Sequence, residues 1–349
     1  MTDAAVSVYD ALRRISRKRG MLLVGLGLAT LASLWLDILA GPAGLDAGTV
    51  ARGIVAPESL ELRHRIILWE VRLPDALIAI VVGAALGLCG VETQTILDNP
   101  LASPFTLGVS AAAVLGASAA IVLSPILPVL PQTATVPAVA LIAAIAAGGF
   151  ILAVVRFTGG GRETVVLFGI AMVFLCNALT SAFHYVADAD AIQQIVFWTI
   201  GNLTKAGWTE VAIVTVSFVA ILPFSLRHVW LLTLLRGGEA HARSVGINVA
   251  RLRTWVILRT SVLAAFAVCF VGTIGFVGLI GPHIARLILG EDHRMLVPGA
   301  ALCGALLLSL ASLLSKTLIP GVIIPVGILT AVIGVPVFLC LLTQQRRRP

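Results

Sequence analysis

The stretch TWVILRTSVLAAFAVCFVGTIGFVGLIGPHIARLILG (residues 254–290) decides how many membrane-crossing helices the chain can form. Its 37 residues are mostly apolar, whereas one crossing takes about 20 residues. Glycine recurs at every third position from Gly272 to Gly281, and Pro282 follows. Because glycine weakens a helix and permits a tight turn, we expect two short crossings here rather than a single tilted, kinked helix.

The composition of the whole chain agrees with a membrane protein. Of its 349 residues, 59% are hydrophobic and only 12% are charged, which excludes a soluble globular domain. The 33 glycines favour closely packed helices with small-residue contacts such as Gly83-x-x-x-Gly87. Nine apolar runs are candidates for spanning helices: 21–40, 76–91, 105–123, 133–155, 164–187, 211–226, 260–285, 295–315 and 317–343.

The distribution of Lys and Arg favours ten crossings over nine. With a cytoplasmic N-terminus, nine crossings leave 14 of the 24 basic residues on the cytoplasmic side, whereas splitting residues 254–290 raises that number to 18. The ten-crossing arrangement places both termini in the cytoplasm. Its cytoplasmic loops are 92–104, 156–163, 227–253 and 286–294, and its outer loops are 41–73, 124–132, 188–208, a turn near 273, and 316–320.

The chain is therefore predicted to be one transmembrane domain, residues 1–349, in the cytoplasmic (inner) membrane. A basic segment, 1–19, precedes the first run, and a basic tail, 344–349, follows the last. The first run is long enough to be an anchor rather than a removable signal peptide. Five cysteines lie in apolar runs without metal-ligand spacing, so we expect packing residues and no metal site.

Three long, ordered motifs resemble a known family. The segments are VRLPDALIAIVVGAALGLCGVETQTILDNPLASPFTLGVSAAAVLGA (71–117), GGEAHARSVGI (237–247), and the pair GTIGFVGLIGPHIARLILGEDHRMLVPGAALCGA (272–305) and IPVGILTAVIGVPVFLCLL (324–342). They are similar to the FecCD/BtuC-like permeases, which import iron-siderophores, haem and vitamin B12. The resemblance covers nearly the whole chain after about residue 65.

The resemblance implies an all-α, polytopic type II ABC importer fold with ten transmembrane helices. It also implies a permease homodimer, or a pair of close paralogues, with two cytoplasmic ATPase subunits below and an extracytoplasmic substrate-binding protein above. We expect this chain to bind no cofactor, because it has no G-x-x-x-x-G-K-[ST] motif and ATP–Mg would sit on the ATPase. The resemblance therefore implies that the chain is not itself an enzyme. Besides these protein subunits, the only partner that we expect is membrane lipid, and we expect no nucleic acid.

Two groups of residues match cytoplasmic elements of the family. Asn99, Pro100 and Leu101 match a hairpin that lines the gate, and Arg162–Glu163 replace the small hydroxyl residues usual at a second gate element. These two charges form either a latch across the dimer axis or a pair of solvated loop charges. The coupling segment, 237–248, is predicted to be a short surface helix that contacts the ATPase. Its candidate residues are Gly238, Glu239, Ala242, Arg243 and Gly246.

Two further groups match the outer surface and the pathway. Arg72 and Lys316 match a basic socket for the binding protein, in which Asp75 replaces a usual basic residue. Arg63 and Arg65 lie close enough in sequence to compensate. The pathway candidates are Gln94, Asn177, Ser181 and His184, and the last three recur on one helix face. Hydrogen bonding between helices is the alternative role for that face.

Glu92 departs from the family pattern, in which this position is apolar. It is predicted to be either a charge at the foot of a helix that reaches water or a local feature of the pathway. A rival hypothesis makes Glu92 the proton carrier of an ion-coupled secondary transporter, which needs neither an ATPase nor a binding protein. The expected cargo is a ferric siderophore, with haem and cobalamin as alternatives.

Overall fold

A computed structural model describes residues 3–41, 43–124, 131–158 and 161–345 of the chain. These residues are almost entirely helical, and their only extended pairing is an isolated bridge between Ile319 and Val322. Of the predicted basic tail, 344–349, the residues from Arg346 onward lie outside the described residues. The helices are α1 Asp3–Leu39, α2 Ala47–Val55, α3 Leu62–Ile66, α4 Leu73–Leu97, α5 Val109–Leu123, α6 Gln132–Thr158, α7 Arg162–Val186, α8 Ala189–Ile200, α9 Trp208–Arg227, α10 Val229–Arg236, α11 Glu239–Ser244, α12 Val249–Val271, α13 Val277–Leu289, α14 His293–Thr317 and α15 Val326–Gln345.

Ten helical segments of the described chain provide the membrane crossings. Seven are long and apolar enough on their own, including α3 and α4, which are joined by the π-helical segment Ile67–Arg72 into one span, Leu62–Leu97. The other three are shorter apolar helices, Val109–Leu123, Val277–Leu289 and Val326–Cys340. The fold is thus the predicted all-α, ten-helix transmembrane architecture.

The break predicted in residues 254–290 is present. α12 ends at Val271, and Gly272 takes a positive φ of 76°. A Cβ at Gly272 would lie 2.1 Å from the carbonyl oxygen of Trp198, so only glycine allows the end of α8 to approach this turn. The backbone N–H of Asn202 donates to the carbonyl of Val271 at 2.8 Å, which holds the two segments together. The single kinked helix is therefore excluded.

α4 is the central helix of the bundle. It packs against α14, α12, α13 and α9, and its glycines bring backbones into direct contact. A Cβ built at Gly83 would lie 2.4 Å from the carbonyl oxygen of Gly304, and one at Gly90 would lie 1.7 Å from that of Gly278. The predicted small-residue contact at Gly83 and Gly87 is present, and Gly90 extends it by one turn.

Three connections predicted as loops contain helices. The outer loop 41–73 holds α2, the loop 188–208 holds α8, and the loop 227–253 holds α10. α2 and α8 each begin at an aspartate, Asp46 and Asp188, whose side chain accepts a hydrogen bond from the first turn. α10 buries Val229, Leu232 and Leu235 on one face. These helices are too short for a crossing, so hydropathy alone did not reveal them.

The glycine contacts of α4 predict a position-dependent effect of added methyl groups. Gly90→Ala forces two backbones apart and should destabilise the protein by about 1–3 kcal/mol. Gly149→Ala is the matched control, because no atom lies within 4 Å of a Cβ there. This variant should be stabilised by about 1 kcal/mol, since alanine has a higher helix propensity than glycine. The apparent melting temperature of the purified protein in detergent measures both. Equal melting temperatures for the two variants would contradict the close approach of α4 and α13.

Candidate gate and coupling site

The hairpin between α4 and α5 forms the tip of one end of the bundle, called here the hairpin end. α4 ends at Leu97, and Asp98 adopts a left-handed conformation with φ 46°. The backbone N–H of Asn99 donates to the carbonyl of Gln94 at 3.1 Å. The Oδ1 of Asn99 in turn accepts a hydrogen bond from the N–H of Leu101 at 2.9 Å. Asn99 therefore shapes the tip on which Leu101 is 40% exposed.

The ascending helix α5 begins at Val109, after Gly108, which has φ 78°. Residues 103–106 form a turn before it, in which Thr106 Oγ1 donates to the carbonyl of Ser103 at 2.7 Å. The local hydroxyl–backbone hydrogen bond competes with helix formation here.

A charged cluster joins four segments at the hairpin end. Arg162 Nη1 lies 2.5 Å from Asp98 Oδ2, and Arg236 Nη1 lies 3.1 Å from Asp98 Oδ1. Glu291, between α13 and α14, pairs with Arg236 at 3.2 Å and with Arg286 at 3.3 Å. We call these five residues the hairpin-end charge network. Because most of its side chains are partly exposed, each pair stabilises the protein by only about 0.2–1 kcal/mol.

The network gives Arg162 of the second gate element a partner within its own chain. Arg162 pairs with Asp98 and keeps 47% of its side chain exposed, so the latch across the dimer axis stays a prediction. Glu163 is exposed, beside Asp98 and Glu239 in an open groove. The sequence did not reveal that Asp98 joins the hairpin to this second gate element.

The coupling segment has the predicted form. α11 covers Glu239–Ser244, preceded by Gly238 at φ 105° and followed by Gly246 at φ 86°. Ala242 is fully buried and anchors the helix. Glu239 pairs with Arg243 at 3.0 Å on the exposed side and with the buried Arg253 of α12 on the other. The helix is therefore held to the bundle by one apolar residue and one shielded ion pair.

Glu92 does not lie at a helix foot. α4 continues for five residues beyond it, and Glu92 is fully buried. Its Oε1 and Oε2 accept bonds from Nη2 and Nε of Arg259 at 2.6 and 2.7 Å. The expectation that Glu92 reaches water is therefore wrong, because the two-pronged pair to α12 satisfies the carboxylate inside the bundle.

The predicted pathway residues divide into two groups. Gln94 is buried, donates to the carbonyl of Leu279 at 3.2 Å and accepts from Arg286 at 3.3 Å, so it does not line an open surface of this chain. Asn177 and Ser181 are exposed on α7, and His184 is half-buried on the same helix. The Nε2 of His184 is shielded from solvent and has no hydrogen-bond partner among the described residues.

The expected docking residues at the opposite end are also buried. Arg72 is 4% exposed and donates to the carbonyls of Ile38, Leu39 and Gly41. Lys316 Nζ lies 2.9 Å from Asp37 Oδ1, with both side chains shielded. Asp75 is 3% exposed. The expectation of freely exposed charges at these three positions is wrong, because each lies within the packed helices of the subunit.

The described residues contain no group of three or more His, Cys, Asp and Glu side chains that could hold a metal ion. Cys89, Cys176, Cys269 and Cys303 are buried as predicted, whereas Cys340 is exposed. Asp98, Arg236, Arg253 and Glu291 were not singled out from the sequence. They lie in hydrophilic loops or near helix ends, where charges are common, and their pairing joins segments up to 138 positions apart.

Comparisons with known proteins agree on one family. The model of the FecCD transport family matches residues 28–344. The chain is 38% identical over 283 residues to the Fe(3+) dicitrate transport system permease protein FecD of Escherichia coli, covering 81% of this chain and 87% of that protein. It is 31% identical over 339 residues to the vitamin B12 import system permease protein BtuC of Salmonella typhi, covering 96% and 98%.

A solved structure supports the same assignment at the level of the fold. An inward-facing ABC transporter of the metal-chelate type matches with a TM-score of 0.82 and 28% identity, covering 93% of this chain and 99% of that one. The ten helices, the family match over residues 28–344 and the two relatives are mutually consistent. The chain belongs to the FecCD transport family and is a multi-pass permease of the ABC-importer type.

Proposed function

We propose that this permease carries a ferric siderophore from an extracytoplasmic binding protein across the inner membrane. A ferric chelate is favoured because the FecD relative is named for Fe(3+) dicitrate and the matching structure is of the metal-chelate type. The name of the BtuC relative makes cobalamin the alternative cargo within the same architecture.

One observation carries the transport mechanism. The hairpin tip at Asn99–Leu101 and the coupling helix α11 lie at the same end of the bundle and are joined through ionic contacts. We assign this end to the cytoplasm, since the positive-inside rule favours it for Arg162, Arg236 and Arg243. Two ATPase subunits then dock at α11, and their ATP-driven closure opens or shuts the hairpin as an alternating-access gate.

The exposed face of α7 supports a second copy of the chain. Phe174 and Leu175 are 72% and 56% exposed, and the polar Asn177 and Ser181 lie on the same helix. Polar side chains facing lipid are unfavourable, so this helix is better suited to border a pathway between two permeases. The homodimer places the two α7 helices beside the dimer axis.

The binding protein docks at the opposite end of the bundle. Since Arg72 and Lys316 are shielded, the exposed Arg63 and Arg65 are better placed for first contact. Arg65 lies 3.5 Å from Glu58, and both side chains remain largely exposed. Such charges set the choice of partner and the encounter rate more than the affinity.

The structure disfavours a proton-coupled secondary transporter. A proton carrier must exchange protons with water, whereas Glu92 is fully buried and both of its oxygens accept bonds from Arg259. Glu92 is thus a structural partner of α12, and the energy for transport comes from the ATPase.

Reconstitution tests the proposed function directly. The permease is co-purified with its ATPase and assayed in proteoliposomes with the cognate binding protein. Uptake of a ferric siderophore, haemin and cobalamin is compared with and without ATP. We expect ATP-dependent uptake of the ferric siderophore. Preferential uptake of cobalamin or haemin would show that this compound, and not a ferric siderophore, is the cargo. Uptake without ATP would overturn the ABC mechanism.

The coupling helix has its own test. Scrambling residues 238–246 should leave the ten helices inserted but abolish co-purification of the ATPase, because α11 supplies the docking surface. Scrambling the α2 residues 47–55, at the opposite end, is the control and should leave the ATPase bound. The amount of ATPase that is pulled down with each permease variant in detergent solution measures both effects. Normal recovery of the ATPase with the scrambled coupling helix would refute the docking role of α11.

The Glu92–Arg259 pair predicts that the stability changes of single and double variants are not additive. Arg259→Gln leaves a buried unpaired carboxylate and should destabilise the protein by about 3–5 kcal/mol. The double variant Glu92→Gln/Arg259→Gln should be more stable than Arg259→Gln alone, as reported by apparent melting temperature. ATP-driven uptake should persist in the double variant. Loss of uptake in a double variant that melts normally, together with strict dependence on a proton gradient, would restore the secondary-transporter hypothesis.

A further inference from the structure

The last turn of α4 receives two arginines from the segments that flank the coupling helix. Arg253 of α12 is 4% exposed, and its Nε donates to the carbonyl of Ile96 at 3.4 Å. Its Nη2 pairs with Glu239, the first residue of α11. Arg236, the last residue of α10, pairs with Asp98 at 3.1 Å. Two separate contacts therefore connect the surroundings of α11 to the base of the hairpin.

The link between these contacts is short. Only Gly237 and Gly238 separate Arg236 from Glu239, and Gly238 has φ 105°. A displacement of α11 therefore moves Glu239 directly and transmits to Arg236 through two residues. Glycine at both positions lets this joint change its backbone angles without side-chain hindrance.

The two contacts differ in their access to water. The side chain of Arg253 is shielded, so its pair with Glu239 keeps α11 and the first turns of α12 together. Asp98 and Arg236 have side chains that are 54% and 36% exposed, so water can replace this contact. Asp98 is also paired with Arg162 at 2.5 Å, so loss of Arg236 would leave its carboxylate with one partner. The Asp98–Arg236 contact is thus the one that can open and close.

Asp98 directly precedes the residue that shapes the hairpin tip. Its left-handed backbone reverses the chain after α4, and Asn99 then orients Leu101. A force applied to the Asp98 carboxylate acts on the turn itself rather than on the rigid helix. The Asp98 carboxylate therefore contacts Arg236, and the Asp98 backbone belongs to the turn that leads to Leu101.

We propose that Asp98 and Arg236 are positioning residues that transmit displacement of the coupling helix to the hairpin, with the Asp98–Arg236 ion pair as the exchangeable contact. This inference rests on the proposed function, in which an ATPase moves α11. It adds the specific pair through which that movement reaches Asn99–Leu101. The Arg253–Ile96 contact is the fixed support about which the hairpin turns.

Thiol labelling of the hairpin tests the transmission without knowledge of the cargo. Leu101→Cys is introduced in a Cys340→Ser background, because the other four cysteines are buried. The permease–ATPase complex is treated with a membrane-impermeant maleimide, with and without ATP–Mg and vanadate. Labelling of this chain is measured by mass spectrometry. In the parent, we expect ATP and vanadate to change the labelling rate by about fivefold or more.

Two single variants break the Asp98–Arg236 ion pair, one from each side. Asp98→Asn keeps the shape and tolerates a left-handed backbone, and Arg236→Gln removes the partner charge. Each should reduce the ATP-dependent change to less than about twofold, and the double variant should lose no more than the worse single variant, since both break the Asp98–Arg236 contact. Arg236→Lys should retain most of the change.

Glu291→Gln removes the other carboxylate that pairs with Arg236 and should retain the change. Arg294→Gln is the charge-removal control at the same end, because Arg294 pairs with Asp292 and lies 4.5 Å from the ring centroid of Trp230 in α10. It should retain the full change if loss of a charge beside α10 is not enough to break the transmission.

The outcomes separate the two proposals. A full ATP-dependent change in both Asp98→Asn and Arg236→Gln would overturn the transmission role while leaving the importer assignment intact. Losses that multiply in the double variant would also overturn it, because the residues would then act independently. Failure of the ATPase to co-purify with the parent, or an unchanged labelling rate in the parent, would overturn the proposed function and the inference together.

Discussion

The direct backbone contact of α4 with its neighbours is the constraint on which the rest of the structure depends. At Gly83, Gly87 and Gly90 there is no room for a single methyl group against α14 or α13. In a membrane, where lipid is as apolar as the helices, such close packing supplies much of the association energy. It also fixes the rotation of α4, and this rotation points Glu92 at Arg259 and delivers Asp98 to the hairpin end.

That fixed rotation explains why buried and exposed charges have different roles. The Glu92–Arg259 pair lies inside the bundle, where breaking it leaves an uncompensated charge, so it holds α4 and α12 in one register. The pairs of the hairpin-end charge network lie at the surface, where water competes for each partner. A bundle with rigid middle layers and weakly joined ends can change shape at one end without losing its fold.

Much of this arrangement could be predicted from the sequence. Hydropathy, basic-residue distribution and the glycine run predicted ten helices and the break at Gly272, because those features are local or additive along the chain. The glycine at 246 likewise predicted where the short helix α11 ends. The partners of Glu92 and Asp98 could not be predicted, since Arg259 and Arg236 come from helices whose rotation depends on packing between distant segments. Burial of Arg72 and Lys316 was missed for the same reason: loop charges near a crossing were taken to be exposed.

The position of Asp98 illustrates how a local conformation and a distant contact reinforce each other. A non-glycine residue with a left-handed backbone is unfavourable unless something holds it, and Asp tolerates this region better than most residues. Here the carboxylate meets two arginines from segments 64 and 138 positions away, and the backbone N–H of the next residue closes the end of α4. Charge pairing thus stabilises the turn, while the turn orients the carboxylate toward α10. Because each depends on the other, the turn at Asp98 and its contact with Arg236 form one unit at the base of the hairpin tip.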